Sequence, residues 1–264
     1  MLDPLITLTT DFGQASPYVA ALKGVILGVN PNVRVLDLTH DIPPQDLRAA
    51  SFFLASAIPY FPAGPIHVVV VDPGVGTDRA LLYIAVGQHR LLAPDNGCWT
   101  ETARHLGAPP QVIRLSEPSY WRRSVSATFH GRDILAPVAA WLSLNLDPDR
   151  LGVQTTEWVD LPAPTPQLKP DCLKGEVIFV DHFGNLITNI PGHALQNLAG
   201  SALDVSVGNH HVSQVVRAYG DTPSGTLLAL VSSRGTLEIA IAQGNAARKL
   251  GVGVGEHVEV WTAG

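Results

Sequence analysis

Over residues 1–160, apolar runs of strand length alternate with stretches whose apolar positions recur at three and four. Leu5-Ile-Thr-Leu-Thr-Thr10 is a short β-branched run ending in Asp11-Phe-Gly13, the pattern of a strand entering a turn. Tyr18 to Val29 carries helical spacing through Ala20, Ala21, Leu22, Val25 and Ile26. Val33 to Leu38 predicts a strand, and Pro43-Pro44 precedes a predicted helix over Asp46 to Ile58. Ile66 to Val71 is continuously apolar, as a strand covered on both faces requires. Leu81 to Val86, Arg90 to Ala93 and Gln111 to Leu115 predict further strands, with Pro94-Asp-Asn-Gly97 as a turn. Ile134 to Leu144 predicts a helix. The alternation predicts an α/β N-terminal domain: a mostly parallel sheet flanked by helices.

The pattern then changes. Leu161-Pro-Ala-Pro-Thr-Pro-Gln-Leu-Lys-Pro170 has four prolines in ten residues, which forbids a helix interior and predicts an extended linker over 161–170. Over 171–264, Glu176–Val180, Leu203–Val207, Val212–Val216, Thr226–Val231, Leu237–Ile241 and His257–Trp261 read as short strands between Gly or Asn turns. One short helix, near Asn245 to Leu250, interrupts them. This half predicts a small all-β C-terminal domain, barrel-like or a sandwich. The chain contains no internal repeat and no low-complexity tract.

Composition narrows the function classes. A chain of 264 residues accommodates one large domain or two small ones, and 46% hydrophobic with 15% charged residues is ordinary for a folded soluble protein. No apolar run approaches the ~20 residues that span a bilayer. Met1-Leu-Asp-Pro lacks the basic and apolar regions of a signal peptide, so a cytoplasmic location is expected. A net charge of -6 without a basic tract argues against nucleic acid as a partner. Cys98 and Cys172 form no metal-ligand motif and read as buried thiols of a reducing compartment.

The chemistry-bearing residues sit at the ends of predicted strands and helices. Asp72 ends the Val68-Val-Val-Val71 strand and opens Pro-Gly-Val-Gly-Thr-Asp-Arg79; some fifty residues on, the chain reads Thr128-Phe-His130-Gly-Arg132-Asp133. An Asp, an Arg and a His from two such loops could activate water without a metal. A phosphate-cradling loop needs a helix N-terminus behind it, whereas Leu81 to Val86 reads as a strand and no Gly-Lys-Ser/Thr is present. The bland reading of Asp72 is a tight hairpin whose glycines supply positive φ. Ligands of open α/β sheets gather beyond the carboxyl ends of the strands, which favours function there. His130 reads either as catalytic or as a structurally bonded histidine, and Asp133 as the N-cap of the following helix. Asp11 could accept both hydroxyls of a ribose or simply bind loop amides. His40-Asp41, Asp72, His130 and Asp181-His182 could build a metal site, but no HxH, HxxxH or HExxH spacing supports one. In the second half, Phe183 and Asn185 of Asp181-His-Phe-Gly-Asn185 could stack on a base and bond its edge. Ser233-Arg234-Gly235 offers a hydroxyl and a guanidinium for a carboxylate. A turn and a surface Arg are the respective bland alternatives.

Six stretches, taken in order, resemble the S-adenosylmethionine hydrolase family, also called S-adenosylmethionine hydroxide adenosyltransferases, relatives of the fluorinase and chlorinase. They are Thr9-Thr-Asp-Phe-Gly13, Val71-Asp-Pro-Gly-Val-Gly-Thr77, Ala93-Pro-Asp-Asn-Gly97, Thr128-Phe-His-Gly-Arg-Asp133, Asp181-His-Phe-Gly-Asn185 with Thr188-Asn-Ile190, and Ser233-Arg-Gly235. They span nearly the whole chain. The resemblance implies an α/β domain followed by a barrel-like one, and a homotrimer whose active sites lie between the N-terminal domain of one subunit and the C-terminal domain of its neighbour. It implies attack of water or hydroxide on C5′ of S-adenosyl-L-methionine, giving adenosine and L-methionine, with no cofactor and no metal. By position, Asp72, Arg79 and His130 match the group that handles the water. Asp11 matches the ribose carboxylate, Phe129 another substrate contact, Phe183 and Asn185 adenine contacts, Asp181 an ammonium contact, and Ser233 and Arg234 the region that holds the methionine carboxylate. The halide-using relatives carry a tyrosine at Asp72 and lack the Arg79–His130 pair, and the fluorinase has a serine at Gly131. A carboxylate beside the nucleophile repels halide, so water is the expected nucleophile. At Ile241 the halogenases have an arginine, a departure that bears on methionine recognition. Two other classes stand beside this one: a module that binds S-adenosylmethionine or adenosine with little turnover, and a metal-dependent phosphoesterase.

Overall fold

A computed structural model describes residues 4–169, 171–198, 203–212 and 215–262. The chain divides into two compact units, Met1–Pro162 and Ala163–Gly264.

The first unit contains β1 (Leu5–Thr10), α1 (Pro17–Val29), β2 (Arg34–Thr39), α2 (Leu47–Ala57), β3 (Ile66–Val70), β4 (Leu81–Val86), β5 (His89–Pro94), α3 (Thr100–Leu106), β6 (Pro110–Leu115), α4 (Ala136–Ser143) and β7 (Gly152–Thr155). Its sheet runs β2-β1-β3-β5-β4-β6-β7. The β1–β2, β1–β3 and β3–β5 pairs are parallel, while β4–β5, β4–β6 and β6–β7 are antiparallel. The sheet is therefore mixed, not mostly parallel as the alternation predicts. The cause is local: Gly87-Gln88 joins β4 to β5 as a two-residue turn, with Gly87 at φ 57°, and so short a connection can only reverse the chain.

β3 lies inside the sheet and all five of its residues are buried, as its continuous apolar run requires. Leu22 and Ile26 of α1 and Val138, Ala139 and Leu142 of α4 pack with Ile6, Leu8, Val68, Val70 and Leu92 in one core. α2 starts at a cap, the Asp46 side chain accepting from Ala49 N at 2.9 Å, and packs against α3. A π-helical turn, Gly131–Leu135, precedes α4, so helical winding begins three residues before the predicted start at Ile134. α3 and β7 are not anticipated by the periodicity.

The second unit contains β8 (Gln167–Leu168), β9 (Cys172–Val180), β10 (Leu186–Pro191), α5 (Gly192–Asn197), β11 (Leu203–Val207), β12 (His210–Val212), β13 (Val215–Val216), β14 (Leu227–Val231), β15 (Thr236–Ile241), α6 (Ala246–Leu250) and β16 (His257–Thr262). The order is β12-β11-β16-β9-β10-β15-β14-β13, with β8 on β9. β9 changes partner along its length: Cys172–Glu176 pair with β16 and the Val177–Val180 half with β10. Val212 and Ala229, from near opposite ends of this order, share one core with Val177, Leu186, Val205, Ile239 and Val258, so the sheet curls into a nearly closed barrel. A single strand over Val212–Val216 is expected from sequence; Val212 ends β12 and Val215 begins β13, and residues 213 and 214 lie outside the described ones. Among the described residues, no helix is long and apolar enough to cross a membrane.

Candidate active site

Asp72 follows β3 at its carboxyl end, where Val71 is fully buried. The segment after it is not a tight hairpin, because β5 lies between β3 and β4 in the sheet. It is a wound loop: Val75 N donates to Asp72 O at 3.2 Å, Thr77 N to Gly74 O at 3.1 Å and Thr77 Oγ1 to the same carbonyl at 2.7 Å. These turns carry Arg79 back onto Asp72. Arg79 Nε donates to Asp72 Oδ1 at 2.7 Å and Nη2 donates to Oδ2, a two-pronged pair whose side chains are only 9% and 8% exposed.

Arg79 Nη2 also lies 3.0 Å from His130 Nδ1. A guanidinium has only donors, so Nδ1 must accept and the proton of the neutral ring must sit on Nε2. Burial lowers the His130 pKa below its ordinary 6.5, and the adjacent Arg79 charge lowers it further against the opposing pull of Asp72 and Asp133. Near neutrality His130 is thus an uncharged ring that presents Nε2–H as a donor.

Two glycines let the loops meet. Gly76 is at φ 85°, and a Cβ on it would sit 2.9 Å from Ala127 O; a Cβ on Gly131 would sit 2.7 Å from Val70 Cγ1. Larger residues would push the His130 loop off the end of β3. From the other side, Asn96 Nδ2 donates to Val71 O at 2.9 Å and Asn96 Oδ1 accepts from Cys98 N at 3.2 Å, so the Pro94–Gly97 turn braces the end of β3. Cys98 is fully buried, and burial pushes its thiol up to about 12, an inert sulfur; Cys172 is partly exposed.

Asp133 is not a helix cap. The winding has already begun at Gly131, and Asp133 N donates to Phe129 O at 3.1 Å, which places the residue inside the turn. Its carboxylate is completely buried and accepts from Arg122 Nη1 at 2.7 Å, Arg132 Nε at 2.7 Å, Arg132 Nη2 at 2.8 Å and Ser126 N at 2.9 Å. Burial alone would raise its pKa; the Arg132, Ser126 and Arg122 bonds outweigh that and hold it at about 2. The Arg132 guanidinium lies 4.8 Å from the centre of the Phe129 ring. That ring meets Phe12 at 5.7 Å and Tyr18 at 5.3 Å, edge to face, which ties the His130 loop to the loop after β1. Asp11 stands in that second loop and its Oδ2 accepts from Gln45 N at 2.8 Å. Asp11 therefore anchors the approach to α2 rather than closing on amides of its own loop.

In the second unit, Asp181 and Asn185 close the loop between β9 and β10. Asn185 N donates to Asp181 Oδ1 at 2.8 Å and Asn185 Nδ2 to Oδ2 at 3.0 Å. Gly184, at φ 86°, touches α6: a Cβ there would lie 2.1 Å from Asn245 Cγ, and Ala247 N donates to Gly184 O at 2.9 Å. Asp181, Phe183 and Asn185 then line a cleft of ≈ 540 Å³ together with Tyr219, Ile241, Gln243, Gly244, Asn245 and Arg248. Phe183 is 73% exposed, a ring held in the open with no core to explain it. Ser233 and Arg234 are the central residues of the turn joining β14 to β15, closed by Gly235 N donating to Ser232 O at 2.9 Å; they do not line this cleft. Tyr219 and the Gln243–Arg248 stretch escape sequence reasoning, since neither carries a motif. Among the described residues, no group of three or more His, Cys, Asp or Glu is placed to hold a metal ion.

Comparison with known proteins accords with this layout. Residues 6–152 match the model of the SAM hydroxide adenosyltransferase N-terminal domain, and residues 175–259 that of the corresponding C-terminal domain. The chain is 41% identical over 263 residues to an (R)-S-adenosyl-L-methionine hydrolase of Salinispora arenicola, covering 99% of this chain and 98% of the relative. It is 39% identical to the hydrolase of that name from Thermus thermophilus, covering 95% and 97%. An uncharacterised conserved protein from Thermotoga maritima has a crystal structure that superposes with a TM-score of 0.90 at 36% identity, covering 97% of this chain and 99% of that one.

The Asp133 cluster sets an acid dependence. A carboxylate whose folded pKa is depressed adds stability above its unfolded value, near 3.8, and loses it as pH falls towards 2. Asp133→Asn is expected to cost about 1–3 kcal/mol at pH 7 by urea unfolding, because it replaces the buried charge that Arg122 and Arg132 bond with a neutral amide offering one acceptor oxygen instead of two. The difference from wild type should shrink as the pH approaches 2; a difference independent of pH would reject the assignment.

Proposed function

Because the chain belongs to the S-adenosylmethionine hydroxide adenosyltransferase family, we propose that it hydrolyses (R)-S-adenosyl-L-methionine to adenosine and L-methionine by attack of water or hydroxide on C5′. The observation that carries this reading is the nearly buried Asp72–Arg79 pair with His130 on the same guanidinium nitrogen. The sulfonium leaves as a neutral thioether, so departure needs neither a general acid nor a Lewis acid. What needs help is the nucleophile. Arg79 supplies fixed positive charge that stabilises developing hydroxide in a water-poor site. His130 donates Nε2–H to the water and orients it; its Nδ1 lone pair is engaged by Arg79 and cannot take the proton. Each Asp72 oxygen keeps a further lone pair, and Asp72 accepts the water proton. The same carboxylate repels halide.

In this reading Asp11 holds the ribose hydroxyls and Phe129 contributes to the wall beside them. Phe183 and Asn185 take the adenine in the cleft of the second unit, Asp181 the ammonium, and Ser233 with Arg234 the methionine carboxylate. The complete site is assembled in a homotrimer, from the first unit of one subunit and the second unit of a neighbour. No metal or cofactor takes part.

Five measurements test this. Incubation with the R and S sulfonium epimers, in labelled water, should release adenosine carrying the label at O5′ from the R epimer; bound but unreacted substrate would instead favour a binding module. Asp72→Ala and His130→Ala should each lower kcat by about 10²- to 10⁴-fold while binding survives, and wild-type turnover in both would remove the assignment. Protonating His130 destroys its Nδ1 acceptor, so kcat/KM should fall on the acid side with a midpoint below 6.5; a profile flat through that region argues against a role for the neutral ring. Chelators should leave the rate unchanged, whereas loss rescued by one metal would revive the phosphoesterase class. Mixed trimers of Asp72→Ala and Arg234→Ala subunits should regain part of the activity that each parent lacks.

A further inference from the structure

Glu238 is the one buried carboxylate among the described residues that neither the water-handling group nor the Asp133 cluster uses. It lies on β15 and is 4% exposed. Its neighbours Leu237 and Ile239 point into the barrel core, so strand alternation puts Glu238 on the opposite face, with Ala240. On that face Leu228, Leu230, Ala240 and Ala242 form a separate apolar cluster, and Leu230 stands directly across from Glu238 in the β14–β15 register. Among the described residues, no Lys, Arg or His forms an ion pair with it. Holding a carboxylate in such surroundings is costly unless something is gained by it.

Its described partner is Tyr219, whose hydroxyl donates to Glu238 Oε1 at 2.5 Å. Tyr219 is 47% exposed and lines the cleft with Asp181, Phe183 and Asn185. Its short turn, Tyr219–Asp221, is held by Asp221 Oδ2, which accepts from Ala218 N at 3.0 Å and Arg217 N at 3.2 Å. Those bonds fix the backbone of the turn but not the tyrosine ring. Glu238 fixes the ring. Burial and the nearby Asp181 charge both raise the Glu238 pKa, in keeping with a charge that has no cation beside it.

We propose that Glu238 is a positioning residue for the cleft: by anchoring the Tyr219 hydroxyl it holds the Tyr219 ring as a preformed wall for the flat, uncharged part of the ligand. This rests on the reading that the cleft takes the adenosyl group. A preformed wall improves affinity because the ring does not have to be ordered when the ligand arrives. The reacting groups are unaffected, so the effect falls on binding.

Adenosine binding by calorimetry, together with steady-state hydrolysis, tests the tether in Tyr219→Phe, Glu238→Ala and Glu238→Gln. Tyr219→Phe keeps the ring and loses the anchor, and it does not disturb the buried strand. It should weaken adenosine binding about tenfold, the worth of a charge-assisted hydrogen bond, and raise KM more than it lowers kcat. Glu238→Ala should do the same. Glu238→Gln retains an acceptor oxygen for the hydroxyl and should bind adenosine within about threefold of wild type, a rescue that general damage to the strand would not produce. Unchanged adenosine affinity in Tyr219→Phe, or Glu238→Gln as weak as Glu238→Ala, would overturn the proposal. If wild type hydrolyses the substrate while either of those results is found, the tether alone falls. If wild type neither binds adenosine nor hydrolyses the substrate, the functional reading falls and the tether with it.

Discussion

One guanidinium organises the candidate active site. Arg79 reaches both oxygens of Asp72 and the Nδ1 of His130, and it does so with little solvent around it. In such surroundings the partners are not interchangeable: removing any one leaves a charge or a lone pair that water cannot easily recover. The same geometry settles the tautomer of His130. A ring that must accept from Arg79 on one side can only donate on the other.

Much of the first unit can be understood as holding that guanidinium in place. The loop after β3 is wound on itself so that Arg79 returns to the residue that opens it. The His130 loop comes close enough because Gly131 lies against Val70 and Gly76 against Ala127. A completely buried aspartate, Asp133, gathers Arg122, Arg132 and the Ser126 amide, and so stiffens the turn from which His130 projects. Three aromatic rings then bind that turn to the loop of Asp11. The positions of these groups are fixed by packing and by buried hydrogen bonds within the chain itself.

The second unit uses the same means for a different purpose. Asp181 and Asn185 satisfy each other and leave Phe183 displayed at the edge of a cleft. Across strand β15, inward residues build the barrel core while Glu238, facing outward, anchors a tyrosine of the cleft wall. Cleft wall and barrel core are thus supported by alternate residues of one strand.

The chain itself made several of these features legible. The continuous apolar run of β3 announced a buried strand, and an acidic residue at its carboxyl end marked a candidate site, because backbone periodicity and strand ends are local properties. The six ordered segments pointed to a family. Other features depended on what lies far away in sequence. Whether β4 and β5 ran parallel or antiparallel turned on a two-residue connection between strands that were each visible singly. Asp133, read as a cap from its place before a helix, is a buried anchor because Arg122 folds back across eleven positions to meet it. Glu238 looks like any strand residue until Tyr219 is seen on it. Local sequence determined which segments are strands and which residues can carry chemistry; tertiary packing alone decided which charges lose their water, and with it which hydrogen-bond partner each one must have.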